Sequence, residues 1–274
     1  MECIINDLVI YYEEYGSGKP ILCLHGFTED HNSMKGCLEP FFKNLSGYRR
    51  IYLDMPGMGK TVAKDWVKNA DTMLEVLKKF VDEVICDKSF LLVGTSYGGY
   101  RALGMAMAMN MKIDGMFLFG PCTVTDYEKR KLPNNFERFV EKGLEESIDK
   151  EEFEDFKNFL GESVVATKET WNRYKNEILP AYKIADTNFC KKYRENGYSF
   201  SFESKLNNLQ FNNPVTVITG RQDSSIGYED SWDILKHLPK FTFVALDGVG
   251  HMMQIETPMV LNVHLHDWIM MCGE

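Results

Sequence analysis

The chain has 274 residues, of which 44% are hydrophobic and 26% are charged, so it is long enough to bury a large core as one sizeable domain or as a domain with an insertion. The formal net charge of −9 argues against a nucleic-acid or anionic-membrane partner, because phosphate recognition needs concentrated lysine and arginine. These properties favour a small, uncharged molecule as the ligand.

The N-terminal stretch MECIINDLVIYYEEYGSGKP has no basic region, and its apolar pieces are shorter than a signal sequence or a membrane span requires. We therefore expect a cytoplasmic protein. The seven cysteines are odd in number, scattered and without a CxxC pair. This pattern indicates neither a disulfide framework nor a zinc site, and we expect buried free thiols instead.

Short apolar runs rich in β-branched and aromatic residues recur along the chain and predict strands. They lie near 4–12 and at 20–26, 50–57, 90–96, 115–121, 214–220 and 241–248. The middle runs are continuously apolar, which is typical of strands covered on both faces in a parallel sheet. Helical patterns separate the runs, so the predicted class is α/β, with the first strands as candidates for antiparallel pairing.

The segment 69–86 predicts one of these helices, with Asp71 and Thr72 as candidate starting residues. From 122 to 211 no strand-like run occurs and charged helical patterns dominate. We predict that 1–121 and 212–274 form the core domain and that 122–211 is a helical insertion over one edge of the sheet. Within it, Phe153, Phe156 and Phe159 favour one buried helix face over a substrate clamp.

The stretch MPGMGKT at 55–61 ends like a phosphate-binding P-loop, but position 54, where that motif needs its first glycine, is Asp54. A proline also lies inside the loop. We therefore interpret the stretch as a tight turn after a strand, not as a nucleotide site.

Ser96 lies in LVGTSYGGYRAL, where Gly94-Thr95-Ser96-Tyr97-Gly98 follows a predicted strand and precedes helix-forming residues. The pattern G-x-S-x-G between strand and helix is the context of a nucleophile elbow, in which a strained serine projects its hydroxyl from the end of the strand. Ser96 is therefore a candidate nucleophile.

A serine hydroxyl needs a nearby base to become an effective nucleophile. Of the six histidines, His251 is placed best, because it follows a predicted strand and precedes a helix that Thr257-Pro258 is expected to start. His31 and His237 lack a comparable setting at a strand end, and His264 and His266 face different sides of a predicted helix and cannot share a metal.

The base in turn needs a carboxylate to orient it. If the chain order is serine, acid, histidine, the run PVTVITGRQD delivers Asp223 just beyond a strand end. Asp247 is the alternative, although its position on the strand leading to His251 ties it to the same strand end. We favour Asp223.

Acyl transfer also requires donors for the negative charge that develops on the carbonyl oxygen. The backbone N–H of Tyr97, directly after the nucleophile, is one candidate, and the loop His25-Gly26-Phe27 offers the N–H of Phe27 as the other. His25 itself is interpreted as a residue that stabilises the turn.

Five motifs of the chain resemble those of the α/β-hydrolase superfamily in order and spacing. They are HGF at 25–27, DxPGxG at 54–59, GxSxGG at 94–99, GRQD at 220–223 and GHxxQxExP at 250–258. The resemblance spans nearly the whole chain. It implies a mostly parallel eight-stranded sheet flanked by helices, a Ser96–His251–Asp223 triad, and a helical cap where 122–211 falls. It is nearest to capped serine esterases and carbon–carbon bond hydrolases, since dehalogenases and epoxide hydrolases carry aspartate in place of the serine.

The expected function is that of a serine hydrolase acting on a small, uncharged carboxylic ester or lactone through an acyl-enzyme on Ser96. A carbon–carbon hydrolase or lyase on the same triad stays open as an alternative, as does a non-catalytic ligand sensor. We expect no metal or organic cofactor, no nucleic-acid or membrane partner, and a monomer or homodimer. The charges of 122–210 nearly cancel, which does not suggest a strongly charged substrate.

Overall fold

The computed structural model describes residues 1–134 and 137–273. The strands of an eight-stranded sheet are β1 (Glu2–Ile5), β2 (Leu8–Gly16), β3 (Lys19–Leu24), β4 (Tyr48–Leu53), β5 (Phe90–Thr95), β6 (Ile113–Phe119), β9 (Val215–Gly220) and β10 (Phe241–Leu246). Their order in the sheet is β1-β2-β4-β3-β5-β6-β9-β10. The pairs β1–β2 and β2–β4 are antiparallel and every other pair is parallel. The predicted mostly parallel sheet is confirmed, and the apolar run near 4–12 is a hairpin of two strands.

Ten α-helices occur within the described part of the chain. They are α1 (His31–Phe42), α2 (Ala70–Val84), α3 (Ser96–Met109), α4 (Phe153–Glu162), α5 (Lys168–Glu177), α6 (Leu179–Ile184), α7 (Thr187–Gly197), α8 (Tyr228–Leu235), α9 (Met253–Glu256) and α10 (Pro258–Gly273). The last of these begins at Pro258, as the sequence predicts. No helix among residues 1–134 and 137–273 combines the length and apolarity needed to cross a bilayer.

The sheet is covered on both faces, which explains its continuously apolar strands. In β5, Phe90 and Leu92 face the cluster that contains α2 and α3, whereas Leu91 and Val93 face the cluster that contains α1 and α10. All four side chains are fully buried. Alternate residues of a strand point to opposite faces, so only a strand apolar at every position suits this layer.

The start of α2 differs from the prediction. The N-cap residue is Asn69, whose side chain accepts a hydrogen bond from the backbone N–H of Thr72, and the Thr72 side chain accepts one from the N-cap backbone. This capping box uses Asn69 and the third helical residue together. Asp71 and Thr72 therefore lie inside the first turn and do not begin the helix.

Between β6 and β9 the chain forms α4 to α7 and a third apolar cluster that includes Phe156, Phe159 and Trp171. The prediction that this stretch contains no strand is wrong in detail, because the two-residue strands β7 (Phe139–Val140) and β8 (Val165–Ala166) pair in parallel. The prediction for Phe153 is also wrong, since it is 49% exposed. Six residues span more than one and a half helical turns, which carries Phe153 away from the buried face.

All seven cysteines are free thiols. Five are buried, Cys272 is partly buried, and Cys86 is exposed, contrary to the expectation of a buried side chain. Cys86 lies just beyond the end of α2 in a left-handed backbone conformation, with φ of 63°.

Candidate active site

The sharp turn at Ser96 lies between the end of β5 and the first residue of α3, and the φ of Ser96 is 49°. A left-handed conformation is strained for a residue with a Cβ atom and is typical of functional sites. The two flanking glycines permit the turn. A Cβ on Gly94 would lie 2.8 Å from the carbonyl oxygen of Gly98, and one on Gly98 would lie 2.2 Å from that of Leu24.

The sheet brings the three predicted residues Ser96, His251 and Asp223 together. Nε2 of His251 lies 3.1 Å from Oγ of Ser96, and Nδ1 lies 2.8 Å from Oδ2 of Asp223. The reason is topological, because β5, β9 and β10 are parallel and the loops that follow them lie at one edge of the sheet. If Nδ1 carries the proton and donates it to Asp223, Nε2 is free to accept one from Ser96.

Asp223 is held by its own loop. It is 1% exposed, and its Oδ1 accepts hydrogen bonds from the backbone N–H groups of Ser225 and Ile226, each at 2.8 Å. These bonds leave Oδ2 for His251. The alternative carboxylate, Asp247, is exposed and accepts a hydrogen bond from Nε2 of Gln222 instead.

The charges around His251 favour its protonated form. Burial lowers the pKa of the imidazole, but Asp223, Glu162 and Glu29 together raise the pKa of His251 to about 9. The first of these acts through both its charge and its hydrogen bond. The imidazolium that would form when His251 accepts a proton is therefore strongly stabilised.

The two residues predicted to donate to a carbonyl oxyanion, Phe27 and Tyr97, are neighbours in space. Their rings meet edge to face with centroids 5.6 Å apart. Tyr97 occupies the first turn of α3, where backbone N–H groups have no acceptor within the helix. The hydroxyl of Tyr193, on α7, lies 3.2 Å from the hydroxyl of Tyr97. The carbonyl oxygen of Tyr198, the residue after α7, accepts a hydrogen bond from the Tyr97 hydroxyl.

His25 stabilises the loop that carries Phe27. Its Nε2 accepts a hydrogen bond from the N–H of Met55 at 3.0 Å, which leaves Nδ1 to donate to the carbonyl oxygen of Gly26 at 2.7 Å. The ring is fully buried, and this burial lowers the pKa of His25 to about 4. A neutral, doubly bonded imidazole suits a structural role.

A cavity of about 960 Å³ opens over Ser96 and His251. Two acidic residues in its lining, Glu29 and Glu162, are absent from the sequence-based assignment. Burial raises the pKa of both carboxyl groups. Glu29 lies two residues after the HGF loop and accepts a hydrogen bond from the N–H of Gly26, so its position in the chain offered a signal. Glu162 offered none, because only the packing of the 122–211 stretch brings it here.

Residues able to bind a metal gather at a separate point, where ligand atoms of Asp30, His31 and Asp54 lie within 4.8 Å of one another. The imidazole of His31 lies between two carboxylates, with Nδ1 2.8 Å from Oδ1 of Asp54 and Nε2 3.2 Å from Oε1 of Glu13. Oδ2 of Asp54 also accepts from the N–H of Lys60. These bonds anchor the DxPGxG turn to α1.

The other histidines lie away from the cavity. Nε2 of His237 bonds to the carbonyl oxygen of Leu209, and His264 and His266 lie on α10.

The GKT stretch at 59–61 closes a turn in which the N–H of Gly57 donates to the carbonyl oxygen of Thr61.

The fold and the site define a class. The family model described as "alpha/beta hydrolase fold" matches residues 19–258, and the chain belongs to this family of hydrolases. The resemblance inferred from the motifs is thereby confirmed.

The chain is similar to relatives of two kinds, a dienedioate hydrolase and a methyl ester esterase. The chain is 25% identical to a 2-hydroxy-6-oxononadienedioate/2-hydroxy-6-oxononatrienedioate hydrolase of Paraburkholderia phymatum, over 96% of this chain and 92% of that protein. It is 24% identical to a pimeloyl-[acyl-carrier protein] methyl ester esterase of Legionella pneumophila, over 89% and 92%. Among solved structures, an alpha/beta superfamily hydrolase from Oenococcus oeni PSU-1 is 31% identical over the full length of both chains, with a TM-score of 0.92.

Proposed function

We propose that this hydrolase is a serine hydrolase that cleaves a small carboxylic ester or lactone through an acyl-enzyme on Ser96. The observation that carries the proposal is the continuous hydrogen-bonded line from Asp223 through His251 to Ser96. This arrangement has the roles and distances that nucleophilic catalysis by serine needs.

In the first step, Oγ of Ser96 forms a bond to the carbonyl carbon while its proton passes to Nε2 of His251. The N–H groups of Phe27 and Tyr97 would donate to the oxyanion, each worth about 3 kcal/mol of the barrier. Collapse of the intermediate breaks the bond to the leaving alcohol, which takes the proton from His251. His251 then removes a proton from water, whose oxygen attacks the acyl carbon. The bond from that carbon to Oγ of Ser96 breaks, Oγ takes the proton back from His251, and the acid is released.

A carbon–carbon bond hydrolase on the same three residues is the second candidate. It is favoured by the similarity to the Paraburkholderia phymatum hydrolase, just as the ester assignment is favoured by the Legionella pneumophila esterase. A sensor that only binds ligand fits less well, because a nucleophile hydrogen-bonded to its base has no purpose in a protein that only binds.

A fluorophosphonate probe with peptide mapping tests the nucleophile. We expect covalent labelling at Ser96, none in Ser96→Ala, and full labelling in Ser89→Ala, a control on the protein surface. We expect Ser96→Ala to have a kcat lower than that of the wild type by a factor on the order of 10⁴ or more. A folded protein that is not labelled would support the sensor instead.

A substrate panel separates the two enzyme classes. Short-chain p-nitrophenyl esters, lactones and a chromogenic 2-hydroxy-6-oxodienoate should be compared by kcat/KM on one enzyme preparation. The proposal expects the highest value with an ester or lactone. A dienoate that exceeds every ester by tenfold or more would assign the carbon–carbon bond hydrolase.

A further inference from the structure

The loops that carry Asp223 and His251 both bond to one short segment, 161–165, at the end of α4 and the start of β8. Oγ of Ser224, beside Asp223, donates to the carbonyl oxygen of Gly161 at 3.1 Å. The backbone N–H of His251 itself donates to the carbonyl oxygen of Glu162 at 3.0 Å. The acid and the base therefore share one support, which belongs to the 122–211 stretch and not to the sheet.

Glu256, on α9, joins this segment to the histidine loop. Its Oε2 accepts three backbone hydrogen bonds, from Gly250 at 3.0 Å and from Val164 and Val165 at 3.2 Å each. A single carboxylate oxygen thus holds the residue before His251 and two residues of the segment. Hydrogen bonds from backbone N–H groups to a charged acceptor are among the stronger ones in proteins.

Packing leaves the histidine loop little room to move relative to the segment. A Cβ on Gly250 would lie 2.9 Å from Cγ2 of Val164 and 3.0 Å from both the carbonyl oxygen of Glu162 and Oε1 of Glu256. These distances are shorter than van der Waals contact. Segment 161–165 therefore packs closely against the backbone of Gly250, with no room for a side chain between them.

We propose that Glu256 is a positioning residue that fixes the general base His251 against segment 161–165, so that the base is correctly placed only when this segment is docked. The inference rests on the proposed function of His251. It implies that turnover depends on the segment even for substrates too small to reach it. A displacement of about 1 Å can lower a catalytic rate by on the order of 100-fold, and Nε2 is 3.1 Å from Ser96.

Three substitutions of Glu256 weaken its hydrogen bonds to the backbone to different degrees. Glu256→Gln keeps an oxygen acceptor for the three N–H groups, because Oε1 has no hydrogen-bond partner among residues 1–134 and 137–273 and its place can take the amide nitrogen. Glu256→Asp keeps the charge but shortens the side chain, and Glu256→Ala removes the acceptor. Glu141→Ala is the matched control, since Glu141 accepts a hydrogen bond from the N–H of Lys168, away from both catalytic loops.

The measurements are kcat and KM for p-nitrophenyl acetate, the rate of fluorophosphonate labelling, and the downfield proton resonance of Nδ1–H of His251. We expect kcat and labelling to fall by on the order of 10- to 100-fold in Glu256→Ala, to fall less in Glu256→Asp, and to stay within about threefold in Glu256→Gln, with KM nearly constant. The resonance should shift or broaden in the order of the kcat loss, and Glu141→Ala should match the wild type.

Two outcomes would overturn the proposal. One is a Glu256→Ala or Glu256→Asp protein that is folded and retains wild-type kcat and labelling, since Glu256 would then only stabilise the fold. The other is a Glu256→Gln protein as slow as Glu256→Ala, which would assign the effect to charge. If Glu256→Ala does not fold, the Asp and Gln variants decide by the same criteria. Failure of the proposed function looks different, because the wild-type protein itself would then lack labelling at Ser96.

Discussion

Nδ1 of His251 lies 2.8 Å from Oδ2 of Asp223, although the two residues are 28 positions apart in the chain. The contact has a definite geometry because Oδ1 of the same carboxylate is already bonded to two backbone N–H groups. One oxygen is thus fixed by the loop and the other is presented to the imidazole.

The contact predicts the effect of Asp223→Asn. An amide that keeps its backbone bonds through Oδ1 presents an NH₂ group to Nδ1, which favours the tautomer with the proton on Nε2, where it cannot accept from Ser96. We expect kcat to fall by on the order of 10³ to 10⁴ with little change in thermal stability. Asp247→Asn, which changes an exposed carboxylate, should leave kcat unaltered. Equal losses in both variants would contradict the assignment.

The pH dependence follows from the charges around His251. Only the neutral imidazole can act as base, so kcat/KM should rise with pH and level off above the pKa of His251, which is about 9. The negative charge of Glu29 stabilises the imidazolium, so Glu29→Gln should lower this pKa and shift the rise in kcat/KM to lower pH. If Glu29 instead lowered the pKa of His251, Glu29→Gln would shift the rise in kcat/KM to higher pH.

The measurement is a pH profile of kcat/KM for a p-nitrophenyl ester in wild-type protein and Glu29→Gln. Glu75→Gln is the control, because Glu75 is exposed on α2, does not line the cavity and should leave the profile in place. A profile of Glu29→Gln that coincides with the wild type would show that Glu29 does not influence His251.

The glycines of the elbow predict a difference in folding stability. The Cβ of Gly98→Ala would meet the backbone carbonyl oxygen of Leu24 at 2.2 Å, and neither β3 nor α3 can move without loss of packing. We expect the free energy of unfolding to fall by on the order of 3 kcal/mol, or the protein not to fold. Gly161→Ala, where a Cβ meets nothing within 4 Å, should be neutral or stabilising by up to about 1 kcal/mol. Chemical denaturation of both variants provides the comparison.

The capping box at α2 predicts a smaller effect. Asn69→Ala removes the side-chain acceptor for the N–H of Thr72 and should lower the free energy of unfolding by about 1 kcal/mol. Asn69→Asp, which keeps the acceptor, should retain the stability of the wild type. Because the helix lies away from the cavity, neither variant should change kcat. Urea denaturation separates the two outcomes, and equal loss in both variants would rule out the cap as the cause.

The sequence alone determined the class of fold and named Ser96, His251 and Asp223. It could do so because these features depend on local order along the chain: a continuously apolar strand, glycines at fixed offsets from a serine, and polar residues directly after strand ends. Parallel strands bring such ends to one edge of the sheet whatever the details of packing. The start of α2 escaped prediction because neighbouring polar residues compete for the position of the N-cap. The exposure of Phe153 escaped prediction because residues spaced three apart rotate steadily around the helix, so that the first and the third of them do not share one face.

Only the tertiary structure decided the surroundings of the triad. Glu162 and Glu256 lie 94 positions apart in the chain. Glu256 belongs to the GHxxQxExP pattern at 250–258, but that pattern does not show that Glu256 binds segment 161–165, and no local pattern marks Glu162 as a neighbour of His251. They meet there because the stretch between β6 and β9 folds back over the carboxyl edge of the sheet, and its backbone N–H and C=O groups bond to Glu256 and His251. Buried backbone groups must find partners, and which partners they find depends on packing that a linear pattern does not contain.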